Sequence, residues 1–320
     1  MTRVLITGGA GFIGSHLVDA CLAKGFEVRV FDNFATGKRE NLAHVAGDVE
    51  LVEADLRDLD AVRKAMRGVE LVSHQGALGS VPRSVADPLT TNAVNVDGTL
   101  HVLVAARDAG VRRLVFASSS SVYGDTVELP KREEMPPRPK SPYACSKLAA
   151  EEYCKTFHKV YGLGTIALRY FNVFGPRQDP TSQYAAVIPK FVTALCTGAR
   201  PVVYGDGTQS RDFTFIRNVA EANLLALNAP EEALGQAYNI ALNDQVTLLQ
   251  ILDNLGRIIG VTPNPEFAEA RAGDVHDSRA AIDLARERLG YQPRVGCQEG
   301  LEQTVAWYRE GGTGRLDWGT

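Results

Sequence analysis

Five short runs rich in branched and aromatic residues, each separated from the next by a helical stretch, decide what this chain can fold into. They are RVLIT (3–7), EVRVFD (27–32), VELVEAD (49–55), VELVSHQ (69–75) and RRLVFAS (112–118). Strands alternating with helices build βαβ units, whose strands pair in parallel. Several of the runs are apolar throughout instead of alternating, the pattern of strands covered on both faces. The expected fold class is therefore α/β, with a doubly wound parallel sheet.

The first strand runs into TGGAGFIG, which opens the first helix and spaces Gly8, Gly11 and Gly14 three apart. Glycine at such a junction allows a tight turn and a close approach of backbone N–H groups to a pyrophosphate. The positive end of the helix then faces the phosphates. Asp32 closes the second strand, where a carboxylate accepts hydrogen bonds from an adenosine ribose and repels a 2′-phosphate. The pattern is a Rossmann-type dinucleotide site that favours NAD over NADP, with Lys38 and Arg39 nearby as the residues that weigh the other way. Asp55 has two readings: it can reach an adenine amine, or cap the helix opened by LRDLDAV.

The regular rhythm weakens after residue 168. RYFNVFGPRQDPTSQYAAVIPKF is rich in Gly, Pro and polar residues and reads as a working loop leading into a helix. DFTFIRNVAEANLLALN reads as a strand and helix rejoining the first unit, and three amphipathic helices follow. The expected division is a dinucleotide domain over 1–168, joined again by 212–242, and a smaller C-terminal α+β lobe from 169–211 and 243–320. A net charge of −4 leaves no basic stripe for nucleic acid, and no apolar run spans a bilayer. The N-terminal apolar stretch is interrupted by glycines and reads as a strand, not as a signal peptide. Five scattered cysteines without a CxxC or a histidine partner point to a cytoplasmic protein with reduced thiols and no metal.

Two features carry chemistry. SPYACSKLAAEEY places Tyr143 and Lys147 four apart on one helix face. A free tyrosine has a pKa of about 10, and a nearby ammonium or bound nicotinamide cation favours its phenolate, so the pair can act as a general base. Lys147 is also free to hold a nicotinamide ribose. The other feature is FASSSSVYG (116–124), four hydroxyls at the carboxyl end of a strand, where ligands bind in such sheets. Side chains alternate faces along a strand, so at most two of the four serve one side. The rest belong to turn chemistry.

Together these residues resemble the extended short-chain dehydrogenase/reductase family, in particular its nucleotide-sugar 4-epimerases. The resemblance runs through TGGAGFIGSHL, DNF, NVDGT, SSSSVYGD, SPYACSK, LRYFNVFGPRQ, VIPKF, GDGTQSRDF and RAGDVHDS, almost the whole chain. It implies tightly held NAD and a UDP-hexose whose 4-hydroxyl loses a proton to a tyrosinate while the C4 hydride passes to the cofactor. The 4-keto sugar then turns and takes the hydride back on its other face. Position by position, the resemblance implies Tyr143 as base, Lys147 as its partner and Ser119 as the catalytic hydroxyl, with Ser120 a helper. Implied at the cofactor, besides the glycines, Asp32, Asp55 and Lys147, are Phe12, Ile13, Asn33, Leu56, Gln75, Ala77, Asn92 and Tyr170. Implied at the diphosphate are Asn172, Arg211 and Arg271, with Asp274 at the uridine ribose and Ala186, Val187 and Tyr204 at the uracil. Gly79, Ser80, Ser121 and Gln178 complete the implied substrate set.

Departures within the family bear on the substrate. Dehydratases and decarboxylases carry an acidic residue in the serine motif, and SSSSVYG has none. Epimerases restricted to plain hexoses place a bulky tyrosine seven residues after the RAGD arginine; here that position is Ser278, which leaves room for a 2-acetamido group. The implied substrates are UDP-GlcNAc and UDP-GalNAc, with UDP-Glc and UDP-Gal also accepted. The alternatives are a UDP-glucose or UDP-glucuronate 4-epimerase and a net NAD-dependent oxidoreductase. Gly76 stands where the family usually has alanine, and is expected to loosen the nicotinamide side. The resemblance also implies a homodimer through a four-helix bundle built from helices at about 93–109 and 144–161.

Overall fold

A computed structural model describes residues 1–180, 186–269, 276–311, 316 and 318. In chain order the first part contains β1 (Arg3–Thr7), α1 (Phe12–Ala23), β2 (Glu27–Asp32), β3 (Val49–Glu53), α2 (Leu59–Ala65) and β4 (Leu71–His74). Short helices α3 (Val81–Ala86) and α4 (Pro88–Asn92) precede a π-helical stretch, Ala93–Asp97, and α5 (Gly98–Asp108). Next come β5 (Arg113–Ser119), a 3-10 turn over Ser120–Tyr123, α6 (Pro142–Tyr161), β6 (Gly164–Tyr170) and β7 (Val173–Phe174). Then follow α7 (Val187–Thr197), β8 (Val202–Tyr204), β9 (Ser210–Arg211), β10 (Thr214–Phe215), α8 (Ile216–Leu227) and β11 (Gln236–Ile240). The last are β12 (Val246–Thr247), α9 (Leu248–Ile259), β13 (Glu266–Ala268), α10 (Asp283–Leu289) and α11 (Cys297–Arg309).

Seven strands form one sheet in the order β11-β6-β5-β4-β1-β2-β3, every neighbouring pair parallel. The order reverses between β1 and β4, and a crevice at the carboxyl ends of the strands opens at such a switch point. The five strands expected in the first part are present. The strand expected in DFTF to rejoin them forms as β10 but pairs with β7 outside the sheet, while its helix α8 packs on α1 and β11 joins the sheet instead. The alternation of covered faces accounts for two apolar clusters: α1 and α8 lie over one side with Leu17, Val18 and Val219, and α2, α5 and α6 over the other with Val62, Leu103 and Phe157. β3, at one edge, has no fully buried residue, so the sandwiching inferred from its apolar run fails there, whereas β11 at the other edge is buried.

Helix boundaries follow local chemistry. Ser141 caps α6 by accepting a hydrogen bond from the Ala144 N–H at 3.1 Å, Pro142 sits in the first turn, and the helix stops at Gly162 with φ +71°. The same residues set the phase of the helix, which decides where Tyr143 and Lys147 face. β7 pairs with β10, and β9 with β12, outside the main sheet. The chain after β6 also folds back on α1: Arg177 pairs with Asp19 at 2.7 Å, the His16 ring meets the Pro176 carbonyl at 2.9 Å, and Lys38 pairs with Asp179 at 3.2 Å.

Candidate active site

The phosphate loop explains its own glycines. Gly8 has φ +67°, and a Cβ there would lie 2.7 Å from the Gly76 nitrogen. A Cβ on Gly14 would lie 2.1 Å from the Gly8 oxygen, so loop and helix touch backbone to backbone. Gly11 is the N-cap of α1 and supplies no side-chain cap, which leaves Phe12, Ile13 and Gly14 in a first turn with N–H groups available to an anion. The loop has the form of a cradle for a pyrophosphate. At Gly76, an added methyl would meet Leu56 Cδ1 at 2.8 Å. Leucine at 56 thus takes the space of the expected alanine, and the loosening expected from the sequence is offset.

Asp32 is 7% exposed and accepts N–H bonds from Ala10 at 2.9 Å and Phe34 at 2.8 Å. Burial pushes its carboxyl up, and those two bonds pull the other way. Each oxygen keeps a lone pair for a ribose hydroxyl. The neighbouring cations are engaged: Lys38 with Asp179, and Arg39 with Glu53 at 2.5 Å. Asn33 donates to Asp55 at 2.8 Å. Arg57 also bonds Asp55, and these bonds hold its carboxyl well below the usual range despite partial burial. Asp55 caps no helix; Asp58 does, accepting from the Ala61 N–H at 3.0 Å. That corrects the second reading of Asp55.

Beneath the crevice His74 is buried in an ordered relay. Gly76 N–H donates to Thr7 Oγ1 at 3.1 Å, and Thr7 Oγ1 meets His74 Nδ1 at 2.5 Å. On the other side His74 Nε2 meets Thr99 Oγ1 at 3.0 Å, and Thr99 donates to the Asn95 carbonyl at 2.6 Å. The two hydroxyls thereby assign the proton to Nε2 and leave the ring neutral. Asn95 lies in the π-helical stretch, bonding the Leu78 N–H at 2.8 Å and Ser146 Oγ at 3.0 Å. Sequence reasoning chose Asn92, which is exposed at the end of α4; buried Asn95, in NVDGT, was passed over. Gln75 and Tyr170 bond each other at 3.2 Å in a network with Asn223 and Ser73, while Ala77 is half-buried beside them in the chain.

Burial drives both His16 and His74 down to about 3, and it pushes Asp212 up to about 7. Between about pH 4 and 6.5 the unfolded chain binds two protons at the histidines that the fold refuses, and the fold keeps one at Asp212 that the unfolded chain has lost. These three groups leave one net proton, worth about 1.4 kcal/mol of stability lost per pH unit as the solution is acidified through this window. The raised carboxyls of Asp32 and Glu133 make the fall smaller than that. Urea denaturation at pH 6 and pH 5 measures it; equal midpoints at the two pH values refute it.

Tyr143 is half-buried at the start of α6, its N–H bonded to Ser84 Oγ at 3.0 Å, and it hydrogen-bonds Ser119. Burial pushes its phenol up and the Ser119 bond lowers it. The sequence reading gave the lowering role to Lys147. In the structure Lys147, 4% exposed, donates to the Ala117 carbonyl at 2.8 Å and lies 4.9 Å over the Phe116 ring; burial brings its own pKa down to about 8. The four serines divide. Ser118 is buried and donates to Glu151 at 2.7 Å; Ser119 accepts from the Ser121 hydroxyl at 2.9 Å; Ser120 is half-buried in the turn.

On the substrate side Asn172 has φ +30° and donates to the Asp212 carbonyl at 3.3 Å. Arg211 donates to the carbonyls of Ser210 and His276 at 2.8 and 2.9 Å. Ser278 is half-buried, its N–H on the Ser210 carbonyl at 3.1 Å, which sets it beside Arg211's strand. Gln178 donates to the Val173 carbonyl, and its own side-chain oxygen is buried without a partner. Ala186 is the N-cap of α7, Val187 its first residue, and Tyr204 is 37% exposed at the end of β8. Ser80 caps α3, and Gly79 before it is exposed. Arg271 and Asp274 lie outside the described residues.

Comparison with known proteins agrees with this geometry. The model of the NAD dependent epimerase/dehydratase family matches residues 4–241. A UDP-glucose 4-epimerase of Mycolicibacterium smegmatis is 40% identical over 311 residues, 96% of this chain and 98% of that protein. Among solved structures, UDP-N-acetylglucosamine 4-epimerase from Methanobrevibacter ruminantium in complex with UDP-N-acetylmuramic acid superposes with a TM-score of 0.92 at 39% identity, covering 97% and 99% of the two chains. UDP-glucose 4-epimerase from Thermus thermophilus in complex with NAD gives 0.88 at 42% identity, covering 96% and 99%.

Proposed function

This chain belongs to the NAD dependent epimerase/dehydratase family, and from that premise we propose that it interconverts UDP-GlcNAc and UDP-GalNAc, accepting UDP-Glc and UDP-Gal as well. It is an NAD-dependent UDP-sugar 4-epimerase. When bound, NAD supplies a hydride acceptor for C4 and a ring cation that favours a phenolate. Gly8, Gly11 and the first turn of α1 would hold its phosphates, Asp32 its adenosine ribose and Lys147 its nicotinamide ribose. Tyr143 takes the proton of the sugar 4-hydroxyl and later returns it, with Ser119 bonded to the same oxygen. Asn172, Arg211 and Arg271 hold the diphosphate, where a forked cation matches two oxygens at once.

The observation that carries the sugar preference is Ser278, a small side chain on the segment fastened to Ser210 beside Arg211. Two of the similar proteins are UDP-glucose 4-epimerases, which favours the second reading, a UDP-glucose enzyme. A side-by-side assay of UDP-GlcNAc, UDP-Glc and UDP-GlcA without added NAD separates the readings. Replacing Ser278 by tyrosine should cut kcat/KM for UDP-GlcNAc by about tenfold or more, with a much smaller loss on UDP-Glc. Equal losses on both would remove Ser278 from the role.

The homodimer and the cytoplasmic setting are part of the same proposal. The dimer reading is supported by exposed apolar side chains on α6, among them Tyr153 (39%), Val160 (61%) and Tyr161 (51%). The five unpaired cysteines support the reducing compartment. No helix among the described residues is long and apolar enough to cross a membrane.

A further inference from the structure

Behind the site lies a buried ionic network that the reaction scheme leaves unused. Glu151 is wholly buried on α6, one turn past Lys147 and two past Tyr143. Its Oε2 accepts from Ser118 Oγ at 2.7 Å and Arg169 Nε at 3.0 Å; its Oε1 accepts from Arg169 Nη2 at 2.6 Å and pairs with Lys155 at 2.9 Å. Arg169 Nη1 donates on to the Tyr123 hydroxyl at 2.7 Å, and that hydroxyl donates to Asn239 Oδ1 at 2.7 Å.

Two of its members, Ser118 and Arg169, are chain neighbours of site residues, Ser119 and Tyr170. Ser118 and Arg169 sit opposite each other in the β5–β6 register, and the next pair is Ser119 opposite Tyr170. Alternation along a strand sends Ser118 and Arg169 to the α6 side and Ser119 to the other. Tyr123 ends the 3-10 turn that follows Ser119. Replacing a buried ion pair by apolar residues is often neutral or stabilising, so stability alone gives little reason for this one. Its arrangement does: one carboxylate on the helix of the base grips both strands that carry the hydroxyls.

We propose that Glu151 is a positioning residue: by holding Ser118 and Arg169 it sets the Ser119 hydroxyl against Tyr143. The inference rests on the reading of Tyr143 as the base. Burial pushes the Glu151 carboxyl up, and Arg169, Lys155 and Ser118 more than offset that, so it stays ionised in its grip. Ser119 in turn is the group that lowers Tyr143. A slack Glu151 contact therefore reaches the base through Ser119.

The test uses two variants. Ser118→Ala removes one bond to Glu151 and leaves the ion pair in place, and Glu151→Gln removes the charge. In Ser118→Ala kcat should fall about tenfold, the scale of one lost charge-assisted hydrogen bond, with KM and bound NAD unchanged. The Tyr143 pKa, read by ultraviolet difference titration against Tyr143→Phe, should rise in both variants. In a Ser119→Ala background the effect of Ser118→Ala should vanish, because the two act through one hydroxyl. Losses that multiply in the double variant, or an unmoved Tyr143 titration, overturn the proposal even if Glu151→Gln is less stable. The titration needs no turnover, so it still decides the positioning if the wild type epimerises none of the UDP-hexoses and the base reading fails.

Discussion

Tyr143→Phe is expected to lower kcat by about 100- to 10,000-fold, the range a positioned general base contributes, while NAD stays bound. The phenolic oxygen is the group in the crevice that both hydrogen-bonds Ser119 and stands on the same helix as Lys147. Removing it takes away the proton acceptor and little else, because the ring of phenylalanine fills the same volume. The backbone of residue 143 keeps its bond to Ser84, so the helix start is preserved. Single-turnover epimerisation and the absorbance of protein-bound NAD, measured on the same preparation, give the two readouts. A variant with more than about a tenth of wild-type kcat would sink Tyr143 as the base. A variant that loses its cofactor would instead give Tyr143 a binding role.

Gly14→Ala is expected to yield protein without cofactor and therefore without activity. The new Cβ would stand 2.1 Å from the Gly8 oxygen, 2.8 Å from the Gly8 carbonyl carbon and 2.8 Å from the Gly9 Cα. All three are backbone atoms, so no flexible side chain can yield. Either α1 moves off the loop or the loop opens, and both take the first-turn N–H groups away from a pyrophosphate. Gly76→Ala is the control, since what its methyl meets first is the end of the Leu56 side chain. Equilibrium dialysis with NAD should show wild-type-like binding for Gly76→Ala and none for Gly14→Ala at concentrations that saturate the wild type. Undiminished binding in Gly14→Ala would mean that the cradle is not where the phosphates lie.

Much of this was legible in the residues because the relevant rules are local. The strand–glycine–helix junction, the Tyr143–Lys147 spacing and the serine-tipped strand each state their geometry within a dozen residues. What stayed hidden depends on contacts across the chain. Ser118 looked like turn chemistry until its partner, thirty-three positions away, was in view. The signal was present: Arg169 interrupts GTIALRY, and a guanidinium in a strand covered on both faces demands a buried carboxylate. Glu151 sits four residues after Lys147 and is the natural candidate. Asn95 was missed for a similar reason, since a π-helical stretch shifts which asparagine of TNAVN turns inward. Lys147's carbonyl partner, Ala117, is backbone and leaves no mark in composition.

The pairs that fasten the chain after β6 to α1 have a meaning for how such a protein can be altered over evolution or by recombination. Arg177 with Asp19, Pro176 with His16 and Asp179 with Lys38 join the loop after β7 to α1 and to the loop after β2. Arg177 and Asp19 are 6% and 5% exposed, so a lone replacement of either strands a charge in the interior. A segment after β6 taken from a relative would have to bring a cation at 177 to meet the buried Asp19. That segment is thus not a freely interchangeable cassette, and drift at 19 and 177 is constrained to occur as a compensating pair.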